Sequence, residues 1–224
     1  MKLLLTSAGV KNASIRAALV DLLGKPCADC NALCIPTAHY GHPQGTAAGA
    51  WRFVSGRGSQ CLMIELGWRS VGLLELTVLP HIARERWVKW VDAADILLVD
   101  GGDAVFLAHW MRQSGLAALL PSLGDKVWMG LSAGSMVMTP RVGDAFVEAK
   151  PSITGDDKGL GIVDFSIFPH LDFPDFPENS MAHAQRWAAG LGNPSYAIDD
   201  QTAIQVVGET VKVISEGNWR YFGN

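Results

Sequence analysis

The sequence is poor in charge, and its basic residues are scattered. Lys and Arg number 18 against 22 Asp and Glu, for a net charge of −4. No basic run exists, so the electrostatic footprint of a nucleic-acid partner is missing and none is expected. No window reaches 18 apolar residues, which excludes a helical membrane span and a membrane partner. The apolar start, Met1–Thr6, is too short for a signal peptide. It is soon broken by Gly9, Lys11 and Asn12, and no small-residue cleavage site follows a long apolar run. The expectation is a soluble, cytoplasmic chain. Linkers, internal repeats and low-complexity segments are also missing, which argues against several domains joined flexibly. Cysteines are few: Cys27, Cys30, Cys34 and Cys61. Cys27 and Cys30 have the spacing of a zinc knuckle or redox pair, with His39 and His42 nearby. The pair precedes a strand, however, and not a helix N-terminus, so ordinary reduced thiols are expected and no metal.

What the sequence does have is core. Of its 224 residues 49% are apolar, eight of them Trp, and only 18% are charged. That fits one α/β domain over residues 1–224 that buries most of its unfolded surface. Lys2–Thr6 reads as a buried strand. Asn12 caps a helix through Ile15, Leu19, Leu22 and Leu23 that stops at Gly24. Further strands are expected at Ala32–Thr37, Val71–Leu76, Ile96–Val99 and Val127–Leu131. Helices are expected over Ala48–Leu66, from Pro80 through Trp87, Trp90, Val91 and Ala94 on one face, and over Ala104–Ser114. This alternation predicts a mostly parallel sheet with helices on both faces, a three-layer sandwich with its site at the strands' carboxyl ends. After Gly143 the strands shorten: Gly161–Phe168, then Ala203–Val207 and Val211–Ile214 as a hairpin around Gly208-Glu209-Thr210, with a helix at Glu178–Leu191 between.

The strongest chemical signal is Gly130-Leu131-Ser132-Ala133-Gly134, which follows an apolar strand and precedes a short helix. This is the pattern of a nucleophile elbow. The sharp turn lifts the hydroxyl off the sheet, and the small flanking residues avoid clashes in the tight backbone. The Ala133 N–H becomes a natural oxyanion donor. Asp100-Gly101-Gly102-Asp103 follows the fourth strand. Its glycines let backbone approach a substrate, so Gly101, Gly102 and Asp103 are expected at the oxyanion and substrate site, with Asp103 able also to cap the next helix. The base for Ser132 is a histidine. Of His39, His42, His81, His109, His170 and His183, the one at the end of an apolar strand is His170, in Ser166-Ile167-Phe168-Pro169-His170. The orienting acid is less evident. Asp144 and Glu148 lie on one face of an expected edge strand, and Asp199 and Asp200 are next in line. Asp156 and Asp157 read as a solvated turn.

Taken in order, Gly101-Gly102-Asp103, Gly130-Leu131-Ser132-Ala133-Gly134-Ser135, Phe168-Pro169-His170 and Ile198-Asp199-Asp200-Gln201-Thr202-Ala203 resemble the dipeptidase E and cyanophycinase family of serine peptidases. The resemblance spans nearly the whole chain. It implies a fold like that of class I glutamine amidotransferases and a Ser-His-acid triad with Ser132 as nucleophile and His170 as base. For the acid it leaves Asp144 or Glu148, and Asp144 is preferred because it follows the turn-like Pro140–Gly143 stretch and can return to the carboxyl edge of the sheet. It implies no metal and no cofactor. Dipeptidase E proper has Gly-Gly-Asn-Thr at the first motif and reads an N-terminal aspartate with a basic residue beyond the catalytic histidine. Here residues 171–178 are acidic and Pro-rich, and Arg186 is the nearest basic side chain. The expected substrate is a dipeptide or other small amide. An esterase with the same triad and a non-catalytic small-ligand binder are the competing readings. The oligomeric state is open, a homodimer included.

Overall fold

The structure, a computed structural model, describes residues 1–57, 63–147 and 153–223. Its strands are β1 (Lys2–Thr6), β2 (Asn31–Ile35), β3 (Ser70–Leu73), β4 (Ile96–Val99), β5 (Val127–Leu131), β6 (Ser166–Phe168), β7 (Ser195–Ile198), β8 (Thr202–Val207), β9 (Thr210–Ser215) and β10 (Trp219–Phe222). The α-helices are α1 (Ala13–Leu23), α2 (Thr37–Gly41), α3 (Ala47–Ser55), α4 (Arg84–Ala93), α5 (Ala104–Gln113), α6 (Leu116–Leu119), α7 (Ala133–Met136) and α8 (Met181–Leu191).

Seven strands form the main sheet in the order β3-β2-β4-β5-β1-β8-β9. The first five are parallel, while β8 and β9 run antiparallel as the expected hairpin. Side chains of a strand alternate between faces, and here both faces are covered. Leu3, Leu5, Leu33, Ile35, Leu97 and Val99 pack on one side with Trp87 and Val91 of α4 and Leu107 and Met111 of α5. Leu4, Cys34, Ile96, Leu98 and Met129 pack on the other with Ile15 and Leu19 of α1 and Phe53 of α3. Burial on both faces explains why β1, β4 and β5 read as unbroken apolar runs and why their expected limits match those observed. Among the described residues no helix is long and apolar enough to cross a membrane.

A second sheet, β10-β7-β6, stands beside the main one, with β6 and β7 parallel. β7 is the short strand expected before Asp199, whereas β10 is not anticipated by the sequence reading. This small sheet matters because β6 ends two residues before His170.

Several expected elements are shorter than their patterns. The helix expected over Ala48–Leu66 stops at Ser55, where Gly56 takes a left-handed φ of 69°. Residues 58–62 lie outside the described residues, and Ile64–Leu66 form a separate 3-10 turn. Pro80 does not open a helix: it lies within the 3-10 stretch Leu76–His81, and α4 starts at Arg84. On α4, Trp87 and Val91 are buried but Trp90 is exposed. An i, i+3 spacing from Trp87 brings Trp90 near the apolar stripe but not onto it, because each residue turns the helix by about 100°.

Candidate active site

The turn after β5 is built as its sequence requires. Ser132 has φ 47° and ψ −109°, a conformation rarely adopted by a residue with a side chain and one that stores strain. The strain is held in place by bonds around it. The Ser132 N–H donates to the Thr6 carbonyl at 2.9 Å, and Ser135 Oγ donates to the same oxygen at 2.8 Å. Trp128 Nε1 donates to the Gly134 carbonyl at 2.9 Å. The flanking glycines are required by space. A Cβ on Gly130 would fall on the Gly134 carbonyl, and one on Gly134 would lie 2.5 Å from the Val99 oxygen.

His170 ends the segment that follows β6, itself at a positive φ of 56°. Its N–H donates to Ser7 Oγ at 3.1 Å, and Ser7 Oγ in turn donates to the Ile198 carbonyl at 3.0 Å. The segment from Pro169 to Phe176 is tied down further by Asn179, whose Nδ2 donates to the Pro169 carbonyl at 3.1 Å. The His170 ring packs edge-on to Phe176, with centroids 5.7 Å apart. Its Nδ1 lies 2.7 Å from Oδ1 of Asp200. A carboxylate only accepts, so Nδ1 carries the proton in this pair; in the neutral imidazole Nε2 then keeps its lone pair.

The carboxylate on His170 is therefore Asp200, and not Asp144, which the sequence favours. Residues 144–146 form a 3-10 turn instead of an edge strand, and Asp144 is exposed there. Glu148 lies outside the described residues. The neighbour of Asp200 has a different task. Asp199 accepts from the Gln201 N–H at 3.0 Å and from Thr202 Oγ1 at 2.7 Å, so it builds the turn that presents Asp200. Asp157 is not in a solvated turn either: it is buried, paired with Arg141 Nε at 3.0 Å, and accepts from the Gly143 N–H at 3.1 Å. His183 pairs with Ser180 Oγ on the exposed start of α8.

The glycine motif after β4 divides its labour. The Gly101 N–H is committed to Asp100 Oδ1 at 2.8 Å, so it is not an open oxyanion donor. Asp103 caps α5, accepting from Val105 and Phe106 N–H at 2.9 and 3.0 Å, and does not line the cavity described below. The capping alternative is the one the structure realises. Gly102 has φ 139°, and a Cβ there would strike the Ala38 carbonyl. No hydrogen bond from the Gly102 or Ala133 N–H is found among the described residues. These two remain the donors available near Ser132.

Cys27 and Cys30 are buried, and burial pushes both thiols up, away from the thiolate that metal binding or redox exchange needs. Cys34 is pushed up to about 12 for the same reason. Cys61 lies outside the described residues. Among the described residues no group of three or more His, Cys, Asp or Glu is placed to hold a metal.

Ser132, His170 and Asp200 all line one cavity of about 530 Å³. Phe146, Phe173 and Phe176 form an apolar wall; Lys11, His39, His42 and Glu178 supply polar rim. Among the lining residues that escaped the sequence reading is Asp100. Asp100 is buried, its pKa pushed up to about 7 by loss of solvent, with the Gly101 N–H bond working against that rise. The unfolded value is near 3.8. An acid whose folded pKa lies above its unfolded one destabilises the fold as it ionises. The cost is absent below about pH 4, grows from there to about 7 and is full above that. Asp100→Asn is accordingly expected to stabilise the protein at pH 8 by at least about 1 kcal/mol and to change little at pH 4. Urea unfolding at both pH values checks this; equal effects at the two would contradict it.

A parallel-sheet α/β fold with a strained serine at a strand end and a histidine-carboxylate pair in the same cavity defines the class of α/β hydrolytic enzymes with a serine nucleophile. Sequence comparison narrows the class. Residues 3–214 match the model of peptidase family S51, and the chain belongs to that family, which makes it a serine-type peptidase. No curated protein matches the sequence. Two solved structures share the fold. One is a peptidase E-like protein from Listeria monocytogenes EGD-e, 20% identical, covering 96% of this chain and 98% of its own, with TM-score 0.67. The other is a peptidase from an acI-B1 Actinobacterium, 19% identical, covering 99% and 93%, with TM-score 0.69.

Proposed function

We propose that this chain cleaves dipeptides or similarly small amides with a Ser132–His170–Asp200 triad. The observation that carries the reading is the 2.7 Å contact between His170 Nδ1 and Asp200, in the cavity that Ser132 lines. Asp200 holds the imidazole in the Nδ1–H tautomer and stabilises the imidazolium that forms during the reaction. His170 Nε2 removes the Ser132 proton as Oγ attacks the scissile carbonyl. The tetrahedral oxyanion is received by the Gly102 and Ala133 N–H groups. Collapse of that intermediate breaks the C–N bond, and His170 returns its proton to the leaving amine. A water molecule, activated by the same base, then hydrolyses the acyl-serine.

The size of the cavity supports a small substrate, since about 530 Å³ lies in the range of small-molecule sites. The ordered segment at Pro169–Asn179, with Phe173 and Phe176 facing the site, limits extension of a longer chain. A strict demand for N-terminal aspartate has no support from Arg186, which is exposed on α8 and does not line the cavity. A panel of dipeptides against p-nitrophenyl esters tests the reading. Turnover of several dipeptides with neutral N-terminal residues is expected. Hydrolysis of esters with no dipeptide cleaved would overturn the peptidase assignment.

A further inference from the structure

The triad leaves Asp100 unused, and its position asks for a ligand. Along the carboxyl edge of the main sheet the order is Asp100 after β4, Ser132 after β5, then Ser7 after β1, which holds the His170 backbone. Ser132 thus separates two polar poles. In the proposed reaction His170 protonates the leaving amine, so the leaving half of the substrate lies on the His170 side. The acyl half then extends the other way, towards β4 and Asp100.

Asp100 is ready for a cationic donor there. Oδ1 accepts from the Gly101 N–H, but Oδ2 is buried without a hydrogen bond. The titratable side chain beside it is His39 on α2, whose Nδ1 stands 3.6 Å from Oδ2, too far for a hydrogen bond. His39 Nε2 accepts from the Thr46 N–H at 3.2 Å, which leaves the Nδ1 proton facing Asp100. Both residues line the cavity. A buried acceptor left unpaired costs about 1–3 kcal/mol, and a site that keeps one gains when a ligand brings the missing donor. The backbone beside Asp100 also runs close to Ser132. A Cβ on Gly101, the residue next to Asp100, would lie 3.5 Å from Ser132 Cβ. An α-amino nitrogen sits about 2.5 Å from the carbonyl carbon of its own residue, given standard backbone lengths and angles.

We propose that Asp100, with His39 beside it, anchors the free α-amino group of the acyl-side residue and so makes this site specific for unblocked N-termini. This rests on the hydrolase reading above. The ammonium group donates to Oδ2, and the pairing of opposite charges in a dry site favours the ionised carboxylate over its protonated form. An N-acylated substrate loses that charge and places a bulkier amide against the same wall.

The test compares free and N-acetylated forms of the same amino-acid p-nitrophenyl esters and dipeptides. These carry the α-amine whether the enzyme prefers esters or amides. The wild-type protein is expected to favour the free form by at least about 30-fold in kcat/KM, in keeping with a charge-assisted bond. Asp100→Asn, which keeps the acceptor for Gly101, should lower kcat/KM for free substrates at least about 10-fold and bring the free-to-acetylated ratio within about threefold of one. A wild-type enzyme indifferent to acetylation, or an Asn variant that keeps the preference, would overturn the proposal. Fluorophosphonate labelling of the wild type separates the two levels. A labelled enzyme with no amine preference refutes this anchor alone, whereas an enzyme that neither labels nor turns over refutes the hydrolase reading and the anchor with it.

Discussion

Replacing Ser132 by alanine is expected to lower kcat by at least about 10⁴-fold, because among the described residues no other hydroxyl lines the cavity. The fold should barely register the change. The lost hydroxyl is half-buried at the cavity wall, and the bonds that hold the turn come from the backbone, Ser135 and Trp128. Alanine keeps the strain at φ 47°, but glycine does not. Ser132→Gly should therefore be equally inactive yet more stable than Ser132→Ala by about 1 kcal/mol, within the range stored by such a conformation. Steady-state kinetics and urea unfolding of the two variants measure both effects. Equal stabilities would mean that the elbow is unstrained, and retained turnover would mean that the nucleophile lies elsewhere.

Asp200→Asn is the second large effect. An amide cannot hold the imidazole in the tautomer a carboxylate selects, and triads lose on the order of 10²–10⁴ in kcat when the acid is so changed. His170→Ala should lose at least about 10³-fold. Asp144→Asn, at an exposed position away from the histidine, should stay within about threefold of wild type. The double variant Asp200→Asn with His170→Ala should be scarcely worse than His170→Ala alone, since the acid acts only through the base. Additive losses would place Asp200 on the substrate instead. A large loss from Asp144→Asn with none from Asp200→Asn would restore the carboxylate that the sequence favours.

The contrast between these two carboxylates shows which features a sequence makes legible. The elbow is local: strand, turn and short helix are contiguous in Val127–Met136, and the small residues needed are visible side by side. His170 is readable because an apolar run ends on it. Asp200 is 30 positions further on, and it reaches His170 only because β7 pairs with β6 in a small sheet that the hydropathy pattern does not announce. Its twin Asp199 carries the same local signal and makes a turn. Which of the pair faces the histidine is settled by tertiary geometry. Asp100 is hidden for a related reason. In sequence it is one more residue of a strand-to-helix turn, and only its burial beside His39 without a partner for Oδ2 sets it apart. Where the pattern misleads, as at Pro80 and Trp90, short-range spacing competes with packing, and packing decides.

In the proposed triad, His170 and Asp200 activate Ser132 as a nucleophile. Intact-mass analysis after incubation with a fluorophosphonate, followed by peptide mapping, tests it most directly. One adduct per chain on Ser132 is expected in the wild type, with labelling slowed by at least about 10²-fold in His170→Ala. No adduct, an adduct on another serine, or labelling of Ser132 that proceeds at the same rate without His170 would contradict the proposed triad.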